Sequence, residues 1–306
     1  MESAQESLAL FHRRRCVVNK SLMEQTINSA AAARPRISGV AWPTILLAGI
    51  LALAIAASTA AALVGGLPYW GSVIINFFCL YLSTHVIHEA VHRNISGVQT
   101  GANWLNDALG TVYSFFLFLP FSVFRAVHLV HHRTTNDPDL DCDMWVARKN
   151  PVWVALSCCT LIIGYELHAY KLVRRGLAPK SIIWHIWIQR MVSITLILIA
   201  FLAGYGTEAM VLWFLSALLV LPAFSFFFAY IVHHPHDTQD RYQSSRVWLA
   251  KSPWAQQAMT LLLMGQNYHL LHHLYPRVPF YAYPSTFRDV RPQLEREGAA
   301  IRTISL

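Results

Sequence analysis

His269, His272 and His273, in the run Gly265-Gln266-Asn267-Tyr268-His269-Leu270-Leu271-His272-His273-Leu274-Tyr275-Pro276, stand three and four residues apart. On a helix that spacing puts three imidazoles on one face, while Leu270 and Leu271 turn away. The pattern recurs as His128-Leu129-Val130-His131-His132, more loosely as His88-Glu89-Ala90-Val91-His92, and a further group stands at His233-His234-Pro235-His236. Convergent imidazoles are metal ligands. A catalytic zinc takes at most four ligands including a water, and here at least nine imidazoles are available, which suits two transition metals that keep positions open for oxygen. Iron fits best, although imidazole alone also suits zinc, copper or nickel. The Glu-x-x-His repeats of soluble di-iron bundles are absent.

Neutral imidazoles leave metal charge uncompensated, so nearby acceptors matter. Half of the sixteen acidic residues stand beside the clusters: Glu89, Asp107, Asp137, Asp139, Asp141, Asp143, Asp237 and Asp240. Glu89, Asp107, Asp137 and Asp237, together with Asn267, His85 and His236, are the candidate partners behind the ligands. No catalytic residue beyond the metal centre is expected. The run Asp137 to Asp143 resembles a calcium loop only at its start, because Cys142 and Arg148 occupy the positions that need glycine and glutamate. His12, His168 and His185 are isolated and read as ordinary polar or interfacial residues.

These clusters must be positioned by membrane helices. The chain of 306 residues is 55% hydrophobic and 13% charged, with a mean hydropathy of +0.38, values of a membrane protein. The net charge of +8 is scattered and no nucleic-acid motif accompanies it. Five cysteines without a Cys-x-x-Cys pair give neither a disulfide framework nor an iron–sulfur site. Residues 1–40 read as a polar basic tail without a signal peptide, and 41–306 as a single membrane domain.

The expected fold is all-α and integral to the membrane: two transmembrane hairpins, interfacial helices and a cytosolic histidine-rich cap. Trp42 to Val64 is slightly longer than the roughly 20 residues that cross a bilayer. Gly65 to Pro68 turns the chain, and Tyr69 to about Ile87 returns it, delivering His88 and His92. A second hairpin runs from Ile182 to Leu202 and back from Ala209 to Val232, exiting at His233. Leu109 to Phe124 and Val152 to Tyr165 are too short to span, and parity forbids them to cross if His88, His128 and His233 are to meet. They are expected to be interfacial or re-entrant, as is Arg246 to Met264 at the surface, and the chain beyond Pro284 is polar. The turns at Gly65 to Pro68 and Gly204 to Glu208 hold no lysine or arginine, so the positive-inside rule sets the histidine face and both termini in the cytoplasm. A metal transporter would need ligands near the bilayer midplane, whereas these lie at helix exits.

With these residues in view, the chain resembles the membrane fatty-acid desaturase/hydroxylase superfamily over roughly Trp42 to Tyr283. The segments Val127 to His132, Asn136-Asp137-Pro138-Asp139, Asp240-Arg241, Met264 to Leu270, His272-His273-Leu274 and Pro279-Phe280-Tyr281 are similar to cyanobacterial-type beta-carotene hydroxylases. The resemblance implies a cytosol-facing centre of two non-haem iron ions, O2 as co-substrate, and electrons from a separate ferredoxin or reductase. Carried over by motif, the iron ligands are His88, His92, His128, His131, His132, His233, His269, His272 and His273, and not His85, His234 or His236. Ala229 departs from the acyl-CoA desaturase pattern, which has asparagine one turn before the histidine leaving the fourth span. The implied reaction removes hydrogen from an unactivated C–H of a lipidic substrate. A carotenoid ring carbon is the first choice and a fatty acyl chain, desaturated, hydroxylated or decarboxylated to a 1-alkene, the second. The expected setting is a bacterial inner membrane, with membrane lipids and no nucleic acid as partners.

Overall fold

Among the described residues, four helices are long and apolar enough to cross a membrane: α1 (Trp42–Leu63), α2 (Tyr69–Val91), and, after intervening elements, α7 (Ser181–Leu202) and α8 (Gly206–Tyr230). They come from a computed structural model that describes residues 39–97 and 100–305. The tail expected over residues 1–40, with His12 and Cys16, lies almost wholly outside these. Each span starts and stops for a local reason. A proline in the first turn of α1 costs no helical hydrogen bond. Extended Pro68 sets α2 going after the tight turn at Gly65, whose φ of +76° suits glycine.

The spans differ in what surrounds them. In α2, 61% of the most apolar window is buried, against 22% in α1 and 17% in α7. Thus α2 is the central post, and the first helix of each hairpin faces lipid. The buried Asn76 amide of α2 is paired within the bundle, as a low-dielectric setting requires. Asn76 donates to the Leu212 carbonyl (3.0 Å) and accepts from the Ser58 hydroxyl (2.6 Å). The Arg190 guanidinium of α7 meets Glu166 and donates to the Phe118 carbonyl.

Between the hairpins lie two bent pairs. The helices α3 (Trp104–Phe116) and α4 (Phe121–His131) meet at 104°, and α5 (Pro151–Cys159) and α6 (Leu161–Arg174) at 73°. Pro120, extended in backbone, caps α4, and Gly110 lets the Phe121 ring approach to where a Cβ would stand 2.4 Å away. Neither pair crosses. The His88 and His128 rings are 4.8 Å apart, so the chain returns through α3 and α4 to the face it left. The His131 and His233 rings are 4.7 Å apart, and α7 with α8 already accounts for two crossings.

Two stretches of α8, Ala209–Leu215 and Ser225–Tyr230, are π-helical, a wider winding frequent at functional sites. Beyond it the chain builds a small cap. Strand β1 (Val247–Ala250) leads to α9 (Pro253–Leu262), α10 (His269–Leu274) and α11 (Tyr283–Arg296), and β2 (Ile301–Ile304) pairs parallel with β1 from Val247↔Ile301 to Ala250↔Ile304. The expected surface segment at Arg246 to Met264 is therefore a strand and a short helix, and the polar end of the chain contributes a second strand. Val247, Leu270, Leu271, Tyr283 and Phe287 form the cap's apolar core.

Candidate metal centre

The elements deliver histidines from four directions. His88 sits in the last turn of α2 and His92 caps it. His128 and His131 end α4, with His132 as its cap. His233 lies in the turn after α8, and His269, His272 and His273 line α10. The cap core fixes α10: the Leu270 and Leu271 side chains are fully buried in it, and the Leu270 N–H donates to the Arg246 carbonyl (3.0 Å). Gly265 makes the approach possible. Its φ is +82°, and a Cβ there would stand 2.9 Å from Tyr283 and 3.0 Å from the Phe280 carbonyl, so a side chain would push α10 off its seat.

All nine imidazoles proposed from the motifs converge, in two groups. His88, His92, His128, His132 and His272 offer ring nitrogens within 4.8 Å of one another, as do His131, His233, His269 and His273. The groups adjoin: the His132 and His273 rings are stacked at 4.3 Å. Only His132 and His273 of the nine are half-exposed; the others are buried.

Protons decide whether a metal fits. The His269 Nδ1–H donates to Gln266 Oε1 (2.6 Å), His233 Nδ1–H to the Ser244 carbonyl (3.0 Å) and His131 Nδ1–H to Asp141 Oδ1 (2.7 Å). None of these acceptors has a hydrogen to give back. With Nδ1 protonated, Nε2 of each neutral ring carries a lone pair. Yet the Nε2 atoms of His233 and His269 stand 2.9 Å apart, and those of His269 and His273 3.1 Å. In the other group, Nε2 atoms stand 3.0 Å apart for His92 and His128, 3.0 Å for His128 and His132, and 2.8 Å for His132 and His272, while His88 Nε2 is buried without a partner. Burial and the neighbouring imidazoles hold His92, His128, His132, His233, His269, His272 and His273 well below the usual histidine value, so protonation does not relieve the crowding. Lone pairs facing one another in the interior repel unless a cation lies between them. The donor set fits metal ions.

His131 is the exception. Burial disfavours its charge, but the Asp141 and Asp143 carboxylates outweigh that and lift it to about 9. Asp141 is clamped in turn: its carboxylate accepts from the Asn136 N–H (2.6 Å) and the Asp143 N–H (2.9 Å). The run that resembles the start of a calcium loop is a cradle for this acceptor. Asn136 also ties the cradle to the next cluster, donating to the Thr238 and Ser244 carbonyls (both 2.8 Å).

The residues expected behind the ligands fall elsewhere. Asp107 pairs with Arg125 (2.7 Å), Asp137 accepts from its own turn's Asp139 and Leu140 N–H groups, and Asp237 is exposed. Glu89 is buried beside Asn94, which donates to it (3.3 Å). Asn267 donates to the Trp248 carbonyl and the Thr260 hydroxyl. His85 bonds the Leu263 carbonyl through Nε2 (3.0 Å); His236 is buried beside the Tyr230 ring. Neither joins a group. The groups that do hold ligand rings are Asp141, Gln266, the Ser244 carbonyl, the Tyr283 hydroxyl on His272 Nδ1 (3.0 Å) and the Thr135 hydroxyl near His273 Nδ1 (3.3 Å). Of these, only Asp141 stood among the acidic residues that the sequence set beside the clusters. Gln266 had a signal of its own, three residues before His269 on one helical face.

Residues 65–305 match a family model described as fatty acid desaturase. The chain belongs to that family. It is 21% identical over 257 residues to the acyl-lipid omega-3 desaturase (cytochrome b5), endoplasmic reticulum, of Arabidopsis thaliana, covering 70% of this chain and 60% of that one. It is 22% identical over 249 residues to the Delta(12)-fatty-acid desaturase of the same organism, covering 68% and 62%. The chain thus spans about three fifths of the length of these curated relatives. The matched residues include all nine histidines of the two groups.

Proposed function

We propose that the chain is an oxygen-dependent di-iron oxidase acting on an unactivated C–H of a lipid, with a carotenoid ring carbon as its first substrate. The observation that supports the reading is the pair of adjoining imidazole groups whose ring nitrogens converge within 4.8 Å in each group. Iron bound there supplies the redox chemistry toward O2 that no side chain provides. The residues do the rest. Asp141 holds the His131 ring and strengthens it as a donor, as do Gln266 and the Ser244 carbonyl for their partners. Apolar rings roof the space below: Phe124 stacks on His128 at 5.3 Å and Phe228 stands 6.5 Å from His88, presenting hydrocarbon and excluding water. The half-exposed edge at His132 and His273 is where electrons enter from a separate ferredoxin or reductase; a relative's name includes cytochrome b5.

A fatty acyl substrate is the second reading, favoured by the names of both relatives. Expression in cells that accumulate beta-carotene, with analysis of pigments and acyl chains, separates the two. Hydroxylated carotenoids support the first, and unchanged pigments with altered acyl chains replace it with the second. The setting we propose is a bacterial inner membrane with the histidine face cytoplasmic. Reporter fusions after Gly66 and Gly206 should read periplasmic and one after Val146 cytoplasmic; a periplasmic signal after Val146 contradicts this orientation.

A further inference from the structure

Away from the histidines, the helix α5 and the loop that leads into it border a space of about 680 Å³, within the roughly 300–1,000 Å³ of ligand pockets. Its lining is sorted along α5. Trp153, Leu156, Ser157 and Thr160 stand at steps of three, one and three residues and share one helical face. Before the first turn the lining changes character, to Arg148, Lys149 and Asn150. One end of the space is therefore cationic and the other, about 12 Å along α5, is apolar. None of its lining residues belongs to either histidine group.

The walls are set before anything binds. Trp145 lies so close to Gly164 of α6 that a Cβ there would stand 2.5 Å from the indole, and its Nε1–H donates to the Thr160 hydroxyl (3.2 Å). The Asn150 side chain caps α5 by accepting from the Val152 N–H (2.9 Å). The cations are uncommitted: among the described residues neither Arg148 nor Lys149 is within ion-pair distance of a carboxylate, and no acid lines the space. The outer side of α5 belongs to lipid, since Val152, Trp153 and Leu156 are each at least 50% exposed. Tryptophan beside arginine and lysine at the entry of an apolar helix marks the headgroup level of a membrane.

We propose that this space is a binding site for an anionic phospholipid of the leaflet on the histidine side, separate from the substrate that is oxidised. The phosphate meets Arg148 and Lys149, and one acyl chain lies along Trp153, Leu156 and Cys159. An amphiphile matches a lining that is charged at one end and apolar at the other. A free phosphate uses only the first end, and a pure hydrocarbon only the second. A net negative headgroup is selected because the amine of a zwitterionic lipid would find no carboxylate there. The lipid packs against Trp145, the last residue of the short helix Cys142–Trp145 that Asp141 caps, so it abuts the loop that holds His131.

The full chain in vesicles of equal parts dioleoyl phosphatidylcholine and dioleoyl phosphatidylglycerol tests this, with a trace of either lipid carrying a diazirine midway along one chain. The readout needs no turnover, so its outcome is independent of the oxidase reading. Phosphatidylglycerol label should gather on residues 153–160 above its level on the lipid-facing helix α7, and phosphatidylcholine label should not. Arg148→Gln with Lys149→Gln should lower that label roughly 10- to 30-fold. Cys159→Trp, which narrows the apolar end at an exposed position and keeps both cations, should lower it as well. The control Arg174→Gln with Lys180→Gln removes the same charge from exposed residues that do not line the space, and should leave the label unchanged. Equal labelling by the two lipids, equal loss in the control, or full label in Cys159→Trp overturns the proposal. Displacement of the label by inorganic phosphate also overturns it, in favour of a site for soluble phosphate.

Discussion

The four-histidine and five-histidine groups adjoin, yet they are held differently. Of the nine rings, among the described residues, only His131 lies within ion-pair distance of a carboxylate, 2.7 Å from Asp141 and 3.7 Å from Asp143. Gln266 and the Ser244 carbonyl fix two more rings of its group. Among the described residues the five-histidine group has no carboxylate within ion-pair distance; of its rings, His272 is braced by the Tyr283 hydroxyl. An anionic acceptor behind an imidazole raises its basicity and locks its tautomer. On the di-iron reading proposed above, the four-histidine group would offset its missing donor with charge, and the five-histidine group would rely on number. Two irons held so differently would not be equivalent.

The largest effects come from removing ligands. His88→Ala and His272→Ala in one group, and His131→Ala in the other, should each lose iron and all activity, read as iron per chain alongside turnover. Full iron in any of them would remove that residue from the ligand set. Asp141→Asn sharpens the contrast: it keeps shape but loses charge, so the four-histidine group should weaken roughly 10- to 100-fold in iron affinity while the other is spared. Equal weakening of both sites would mean that Asp141 supports the fold and not one metal.

A pH dependence follows from the same pair. Without metal, His131 is raised to about 9, above the ordinary imidazole value of about 6.5. Its pairing with Asp141 and Asp143 then stabilises the metal-free fold fully below about pH 6.5 and is lost as pH rises through about 9. Metal binding competes with the His131 proton and has the opposite sign, so loading of the four-histidine group should tighten between about pH 7 and about pH 9. Asp141→Asn should flatten that slope, measured by iron titration at each pH.

The smallest effects belong to histidines that neighbour the centre without entering it. His85→Ala and His236→Ala should keep nearly full iron, with activity down at worst roughly 10- to 100-fold. If His85→Ala empties the site as His88→Ala does, the division into two groups is wrong.

How much of this was legible beforehand depended on whether the signal was local. Helical spacing within each cluster, the apolar lengths of the spans, and the rule that histidine-bearing ends must share a face all lie in short windows, and a four-span fold with two non-spanning segments follows from them; the breaks that divide those segments, after Phe116 and after Cys159, do not. What holds the rings was less accessible. Asp107, Asp137 and Asp237 are near histidines in sequence but point to Arg125, to their own turn and to solvent. Tyr283 reaches His272 from another helix, and the Ser244 carbonyl has no side-chain signature at all. The β1–β2 pairing joins Val247 to Ile301 across the whole cap, a non-local contact that two four-residue strands do not announce. The π-helical turns of α8 are equally silent, because their winding answers to packing.

Mössbauer spectroscopy of the iron-loaded protein, with iron per chain measured on the same sample, tests the central claim most directly. Two irons per chain giving two distinct doublets of equal area is the result expected of one five-imidazole and one four-imidazole site. One iron per chain, or a single doublet unaffected by Asp141→Asn, would contradict it.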